Sequence, residues 1–362
     1  MKTSPATASV QIVVPARNEQ DCIGRCLESL VRQQGIDFQI TVVDDGSTDC
    51  TRAIAESFAG VRVISAPEPA PGISGKCNAL IQGSAGSTAK WLLFTDADTV
   101  HYPGSLARAV AEAEERGVGL LSYSPEQETV SWSERALMPV VFADLVRAYP
   151  PERVNDPLDP TVAANGQYVL VRREAYEVLG GHIAVADKVL EDVELARLFK
   201  ASGHRIWFRH GAGLVRTRMY RDFHSLCEGW TKNLALLFRH PLGLAALRVL
   251  EFVAITSLLA TAAAALVGSN HMAGLGSFAG GTLLYALFLL RIRRAHFPAT
   301  ASLISFFGLP LFAWLLLRSW FHSKVRGAVT WKGREYPQSA AESASNRAAS
   351  SSIPKGNLEL KS

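Results

Sequence analysis

The sequence predicts an α/β protein, with a mostly parallel sheet and helices on both faces, that continues into C-terminal transmembrane helices. In the first half, short β-branched apolar runs alternate with amphipathic helical segments, which is the pattern of a parallel sheet. The second half contains three apolar stretches, about 244–267, 272–290 and 299–321. Each is close to the ~20 residues that cross a hydrocarbon core. The 362 residues therefore hold a catalytic-sized domain followed by a membrane region.

The predicted sheet begins with an apolar run at 10–15, followed by an amphipathic helix at about 19–34. The next predicted elements are a strand at 39–45 with a helix to about 59, a strand at 61–65, a Pro/Gly-rich loop at 67–75, a helix from Lys76, a strand at 91–95, and a helix–strand pair within 103–124. A further amphipathic helix is predicted at 131–149. It either lies at a bilayer surface or packs on the domain core, and both interpretations stay open.

Two carboxylates directly follow the strand at 91–95. Asp96 and Asp98 are one residue apart, so both side chains can face one hard cation beyond the end of the strand. Such a cation prefers oxygen ligands and leaves positions for phosphate oxygens. In open α/β sheets, ligands bind at the carboxyl ends of the strands. The pair therefore predicts a site for Mg²⁺ or Mn²⁺ and a donor activated by a nucleoside diphosphate.

The first two strands also end in polar residues. The first runs into Pro15, Arg17 and Glu19, and the second into Asp44 and Asp45. Asp45, or Asp44 in its place, could accept hydrogen bonds from a pyrimidine N–H and from ribose hydroxyls. Helix capping by the Ser-Thr-Asp run that follows is the alternative, but capping does not account for two adjacent aspartates.

A glycine-containing loop at 72–75 opens the next helix and places Lys76 at its start. Helix N-terminal amides and an ammonium group suit a diphosphate. The loop is not a Walker A loop, because its glycine spacing differs and Cys77 stands where Ser or Thr is required. A solvated surface lysine is the alternative interpretation.

In this order, the segments V-V-P-A-R-N-E, V-V-D-D-G-S-T-D, G-K-C-N-A-L and D-A-D resemble the GT-A fold of family-2 glycosyltransferases. The resemblance covers roughly residues 10–235 and is specific because several independent motifs agree. It implies a metal-dependent, inverting transfer from a nucleotide-diphosphate sugar, with a UDP-sugar expected, in which Asp98 holds the cation with help from Asp96. The donor-binding residues that it implies are Pro15, Arg17, Glu19, Asp44, Asp45, Lys76 and Asp96.

Two further blocks continue the resemblance. The segment E-D-V-E-L-A is similar to the family's E-D motif, which assigns Asp192 as the general base. The acceptor-binding residues that the resemblance implies are Asn165, Gly166, Gln167, Glu191 and Trp230. For Trp230, an interfacial aromatic anchor is the alternative to stacking near the acceptor. The segments at 218–221 and 228–233 resemble a signature of membrane-attached members.

A segment near the end of the chain indicates the chemical class of the expected acceptor. Residues 331–336, W-K-G-R-E-Y, are similar to the ending of lipid-modifying members, which include ceramide, hopanoid-associated and carotenoid glycosyltransferases. A basic juxtamembrane stretch is the alternative. At 226–230 the chain reads L-C-E-G-W, where processive synthases carry Q-x-x-R-W, and this favours transfer of one sugar to a lipid hydroxyl or carboxyl.

Two other functions remain in view. A polyprenyl-phosphate or polysaccharide-building glycosyltransferase is the alternative within the same enzyme class. A non-catalytic scaffold is the alternative outside it, and it is disfavoured because four aspartates of the motifs are retained together. These residues are Asp45, Asp96, Asp98 and Asp192.

Charge and hydropathy predict the surroundings. The net charge of +4 is mild, and basic residues cluster beside the apolar stretches, which favours an anionic membrane surface over nucleic acid. The run R-I-R-R at 291–294 is basic, whereas 268–271 lacks Lys and Arg, so the positive-inside rule predicts two crossings of the inner cell membrane and a cytoplasmic catalytic domain. A third crossing would export the basic residues after 323. A re-entrant or interfacial hairpin at 299–321 is therefore favoured, with three crossings left open.

The predicted organisation has five regions: a flexible N-terminus at 1–9, a GT-A catalytic domain at 10–240, a membrane region at 241–322 with two to three apolar helices, a basic juxtamembrane segment at 323–337 and a disordered tail at 338–362. Residues 1–9 are short and polar and do not resemble a signal peptide. The five cysteines include no C-x-x-C pair, which fits a reducing compartment.

Overall fold

A computed structural model describes residues 9–267, 271–326, 328–331 and 334–337. Residues 1–8 of the expected flexible N-terminus, Lys332 and Gly333 of the W-K-G-R-E-Y segment, and the expected tail at 338–362 lie outside the described residues. The strands are β1 Val10–Ala16, β2 Phe38–Asp44, β3 Val61–Ser65, β4 Trp91–Phe94, β5 Thr99–His101, β6 Leu120–Ser124, β7 Glu126–Gln127, β8 Val169–Arg172, β9 Ile206–His210, β10 Val215–Thr217, β11 Ala328–Trp331 and β12 Arg334–Pro337. The helices are α1 Ile23–Val31, α2 Thr51–Glu56, α3 Gly75–Ser84, α4 Ser105–Arg116, α5 Trp132–Ala148, α6 Pro151–Asn155, α7 Arg173–Val178, α8 Glu191–Ala201, α9 Phe223–Leu237, α10 Pro241–Val267, α11 His271–Arg293, α12 Ala299–Ile304 and α13 Gly308–Phe321.

The main sheet has seven strands in the order β3-β2-β1-β4-β8-β6-β9. Its neighbours pair in parallel except around β8, which is antiparallel to both β4 and β6. The predicted fold class is therefore confirmed. A small second sheet, β5-β10-β7, was not predicted, since strands of two or three residues leave too short a pattern to detect.

β1 is central because both of its faces are apolar. Ile12 and Val14 pack into the hydrophobic core on one face of the sheet, and Val13 packs into the core on the other. Strands buried on both faces appear as continuous apolar runs. On the Val13 side, α3 approaches so closely that a side chain at Gly83 would collide with Val13. This packing fixes the position of the N-terminus of α3.

α1 begins at Ile23, four residues later than the sequence predicted. The N–H of Glu19 donates to Thr51 Oγ1 at 2.7 Å, and the N–H of Gln20 donates to Asp49 Oδ2 at 3.2 Å. These amides serve the loop after β2 instead of entering a helix. The loops that follow β1 and β2 are therefore tied together at the edge of the sheet.

α5 packs between the catalytic part and the apolar helices. It starts with a capping box in which Ser131 and Glu134 each satisfy the other's backbone N–H. Its apolar side chains join a hydrophobic cluster with α9, α10, α11 and α13. Gly308, at the start of α13, meets the backbone of Ala136, where a side chain would not fit. The helix predicted at 131–149 therefore packs mainly against the apolar helices and not against the core of the sheet, so neither interpretation is confirmed as stated.

A buried ion network, named here the Asp144 network, joins α5 to α10 and α11. Asp144 accepts two hydrogen bonds from Arg248, at 2.8 and 2.7 Å. Arg291 donates to Asp144 at 3.1 Å and to Glu251 at 2.8 Å, and Arg248 donates to Glu251 at 2.6 Å. Removing one member of such a network leaves an uncompensated buried charge, which costs about 3–5 kcal/mol.

The three apolar segments differ in how much of them is covered. By length and composition each is able to cross a membrane. In an 18-residue apolar window of each segment, the share buried inside the structure is 22% within 241–265, 17% within 271–293 and 50% within 299–324. The third segment is interrupted by a 3₁₀ turn, Ser305–Phe307, and packs along α5.

Both ends of the third segment lie beside the catalytic part. Just before it, the His296 ring stacks on His210 of β9 with a centroid distance of 4.6 Å. After it, β11 pairs with β12 and lies against α9. The segment therefore leaves the catalytic part and returns to it.

Candidate active site

A cavity of about 930 Å³ lies at the carboxyl ends of β1, β2 and β4. Its walls are the loops after these strands, the N-termini of α3 and α8, the loop at 165–167, and α9. The sequence-predicted residues that line it are Pro15, Arg17, Glu19, Asp45, Lys76, Asp96, Asp98, Asn165, Gly166, Gln167, Glu191 and Asp192. Side chains from widely separated segments thus converge on one cleft.

Two predicted site residues lie elsewhere. Asp44 is 5% exposed, and its carboxylate accepts a hydrogen bond from the N–H of Ser47 at 3.1 Å, so it shapes the loop. Trp230 is 2% exposed, and its ring packs against Phe142 and Tyr220 at centroid distances of 6.1 and 6.0 Å. Neither residue lines the cleft, and the expected stacking of Trp230 near an acceptor does not fit a ring enclosed in the core.

Arg17 fixes Asp45 at the wall of the cleft. Its guanidinium donates to the backbone oxygen of Asp45 at 2.7 Å and lies 3.6 Å from the carboxylate. β1 and β2 run in parallel register up to this point, so the two residues meet where both strands end. Held in this way, the Asp45 carboxylate is a hydrogen-bond acceptor in the wall of the cleft.

The Asp-Ala-Asp turn after β4 is held from behind. The Thr99 hydroxyl donates to the backbone oxygen of Asp96 at 2.7 Å, and the Gln167 amide donates to Asp98 Oδ2 at 3.3 Å. Asp98 Oδ1 is buried and has no hydrogen-bond partner among the described residues. Burial, together with the charges of Asp96 and Glu19, raises the pKa of Asp98 to about 7.

These residues fit a divalent cation that is shared with a ligand. Within the described ranges, no three His, Cys, Asp or Glu side chains form a complete metal cage. Two carboxylates with one unpartnered oxygen instead suit Mg²⁺ or Mn²⁺, which commonly take a few protein ligands and complete their shell with phosphate oxygens. A cation here would also relieve the crowding of negative charge that raises the pKa of Asp98.

Lys76 lies inside the cleft and is not a surface lysine, since its side chain is 23% exposed. The Ser74 hydroxyl caps α3 by accepting from the N–H of Cys77 at 3.1 Å. The Lys76 ammonium is 2.9 Å from Asp96 and 3.0 Å from Glu191. Burial opposes the charged form, but the surrounding carboxylates raise the pKa of Lys76 well above its ordinary value. The Lys76 side chain is therefore protonated and positively charged at neutral pH.

Asp192 lies in the first turn of α8. It accepts hydrogen bonds from the N–H of Gly166 at 2.6 Å and from the N–H of Val193 at 2.8 Å. Burial and then the neighbouring Glu191 raise the pKa of Asp192 to about 6. A carboxylate with this pKa is mostly unprotonated at neutral pH and is a better proton acceptor than an ordinary aspartate.

Gly166 permits this arrangement by having no side chain. A Cβ there would lie 2.9 Å from the Lys76 ammonium nitrogen and 3.3 Å from Asp192 Oδ2. The glycine thus lets the ammonium and the carboxylate approach the same backbone segment.

Another wall of the cleft is formed by residues 218–233. For the residues that line it, the sequence predicted no roles and showed only a resemblance to membrane-attached members. The residues that form it are Arg218, Met219, Tyr220, Arg221, Asp222, Ser225, Glu228, Gly229, Lys232 and Asn233. Arg218 pairs with Glu134 of the α5 capping box at 3.0 and 3.2 Å. Gly229 leaves room for the Tyr220 ring, and burial lowers the pKa of Lys232. The segments at 218–221 and 228–233 were the signal for this wall.

A protein-family model described as Glycosyl transferase family 2 matches residues 11–180. The 4,4'-diaponeurosporenoate glycosyltransferase of Staphylococcus aureus strain MRSA252 is 28% identical over 341 residues, which cover 91% of this chain and 88% of that protein. The protein of the same name from strain USA300 is 27% identical over 339 residues, with the same coverage.

Solved structures show a more distant similarity. The mannosyltransferase PcManGT from Pyrobaculum calidifontis, in complex with GDP-Man and Mn²⁺, is 17% identical, with a TM-score of 0.48 over 89% of this chain and 88% of that one. Glucosyl-3-phosphoglycerate synthase from Mycobacterium tuberculosis, in complex with Mn²⁺, UDP and its product, is 21% identical, with a TM-score of 0.40 over 62% of this chain and 76% of that one.

Proposed function

We propose that the chain is a family-2 glycosyltransferase and, more closely, a membrane-bound, inverting enzyme that moves one sugar from a UDP-sugar to a carotenoid-type lipid. The observation that carries the proposal is the convergence of Asp45, Asp98 and Asp192 on one cleft. The Staphylococcus aureus relatives are named for 4,4'-diaponeurosporenoate, and their similarity extends over 91% of the chain, including the apolar helices. This coverage supports a lipid acceptor of the same class.

The donor occupies the side of the cleft formed by the ends of β1, β2 and β4. Asp45 accepts hydrogen bonds from the nucleoside, and Lys76 provides positive charge for the diphosphate. Asp98 and Asp96 would hold a divalent cation, which when bound would supply positive charge against the charge that grows on the leaving diphosphate.

The acceptor lies on the opposite side, against Asp192 and α9. Asp192 takes the proton of an acceptor hydroxyl as its oxygen bonds to the anomeric carbon. The bond between that carbon and the diphosphate oxygen breaks, and the nucleoside diphosphate leaves with the electron pair. Because attack comes from the face opposite the leaving group, the anomeric configuration inverts. A carboxylate acceptor arrives without the proton and needs Asp192 less.

The membrane disposition follows from the apolar segments. In this proposal α10 and α11 form the two crossings of the inner membrane. The basic end of α11 supports a catalytic part on the cytoplasmic side. The third segment stays at the cytoplasmic interface, a proposal supported by its 50% buried share and by the catalytic-side contacts at both of its ends.

Transfer is tested by incubating membranes that contain the protein with a panel of radiolabelled nucleotide sugars and identifying the labelled lipid by mass spectrometry. A single-sugar lipid product supports the proposal. A labelled polyprenyl phosphate or a polymer would assign the alternative enzyme class, and no labelled product from any donor would count against catalysis.

A further inference from the structure

Lys76 joins the donor side of the cleft to the acceptor side. Its ammonium contacts Asp96 at 2.9 Å, on the turn that precedes the proposed cation ligand Asp98, and Glu191 at 3.0 Å, next to the proposed base Asp192. One lysine therefore neutralises a carboxylate on each side. Without Lys76, both carboxylates would face each other across a buried site.

The surroundings hold Lys76 in this position. Gly166 provides the space for the ammonium, since a Cβ at that residue would come within 2.9 Å of it. α3, which carries Lys76, is fixed against β1 through Gly83 and Val13 and capped by Ser74. This support fixes the backbone of Lys76, while the flexible four-carbon side chain still allows the ammonium to turn toward a second anion.

We propose that Lys76 is an internal counter-ion that neutralises Asp96 until the donor arrives, and that the diphosphate then draws the ammonium away from Asp96 and Glu191. Binding of the divalent cation is weak beforehand, because it must compete with Lys76 for the same carboxylate. Donor and cation thus bind cooperatively. On the acceptor side, Glu191 loses its ion pair with Lys76 only when the donor is bound. The inference rests on the proposed function, which supplies the diphosphate.

The test measures Mn²⁺ binding to the purified full-length protein in detergent micelles by the EPR signal of free Mn²⁺, with and without UDP. Lys76→Met is expected to bind Mn²⁺ alone about tenfold more tightly than wild type, because the competing charge is gone. UDP should then raise the affinity less than it does in wild type. Adding Asp98→Asn should remove the gain, which would locate it at the proposed site.

Three further variants control the measurement. Lys90→Met removes the same charge from a lysine that pairs with Glu114 at the opposite end of β4, and it should match wild type. Lys76→Arg keeps the charge and should also stay near wild type. Lys76→Met combined with Glu191→Gln removes both buried charges, so the test is still possible if Lys76→Met alone fails to fold.

The two proposals fail differently. Mn²⁺ binding by both Lys76→Met proteins that is equal to or weaker than that of wild type, including no binding by any of them, would overturn the counter-ion inference. Sugar transfer by the wild-type protein is measured separately. Tighter Mn²⁺ binding without any transfer would count against the proposed function and leave the inference about Lys76 standing.

Discussion

The proposed donor and acceptor halves of the cleft are built from different parts of the molecule. The donor half consists of short loops at the ends of β1, β2 and β4, inside the sheet. The acceptor half includes α9, which packs on α13 and touches β11, and Arg218, which is paired with the cap of α5. In the proposed function, donor recognition therefore depends on the sheet and on α3, which carries Lys76, whereas the proposed acceptor wall is shared with the apolar helices.

The largest effect is expected from the donor half. Asp98→Ala should lower sugar transfer by about a thousandfold or more, because a catalytic cation contributes several kcal/mol to the transition state. Transfer is measured with purified protein and titrated Mn²⁺. Asp37→Ala, an exposed aspartate before β2 at the other end of the sheet, is the matched control. Equal loss in both variants would show a general effect of stability.

Asp192→Asn should lower turnover without changing the binding of nucleotide and cation. The amide oxygen can still accept from Gly166 but cannot take a proton. UDP and Mn²⁺ affinities should therefore stay near wild type, while kcat with a hydroxyl acceptor falls by about 10²–10⁴. Nucleotide binding by calorimetry and single-turnover transfer measure the two quantities. Wild-type turnover would refute the assignment of the base for a hydroxyl acceptor.

The pH dependence should report the acceptor half. Because burial and Glu191 raise the pKa of Asp192 to about 6, the active carboxylate is lost as pH falls below that value. With a hydroxyl acceptor and saturating Mn²⁺, kcat/KM for the lipid should drop about tenfold per pH unit below about 6 and level off above it. Asp192→Asn should lack this limb, and a limb that persists in the variant would assign the titration to another group.

The smallest effect is expected where the acceptor wall meets the membrane. Trp132 is 60% exposed at the start of α5, with its ring 6.5 Å from that of Phe307. Trp132→Ala should raise the KM for the lipid about threefold and leave the KM for the donor unchanged, since exposed tryptophans favour the membrane interface. Leu158→Ala, at an exposed loop residue, is the control. An equal rise in the KM for the donor would contradict the assignment of the two halves to different substrates.

The two halves of the cleft also differ in how well their residues could be predicted from the sequence. The donor side was predictable because strand–turn segments such as Asp96–Asp98 carry their chemistry in adjacent residues. The contacts of Lys76 and the wall formed by α9 depend on packing between distant elements, which no local pattern encodes. Asp44 and Trp230 were assigned to the cleft from their motifs, but their side chains turn into the loop and the core.

The Asp144 network has a geometric consequence for the lipid. It fastens α5 to α10 and α11, the two proposed crossing helices, through charges that are costly to separate. We therefore expect the catalytic part to rotate little relative to these helices. In the proposed orientation, the reacting oxygen of an acceptor must reach a constant height over the hydrocarbon. The enzyme would then select lipids by how far their polar end extends from the hydrocarbon core.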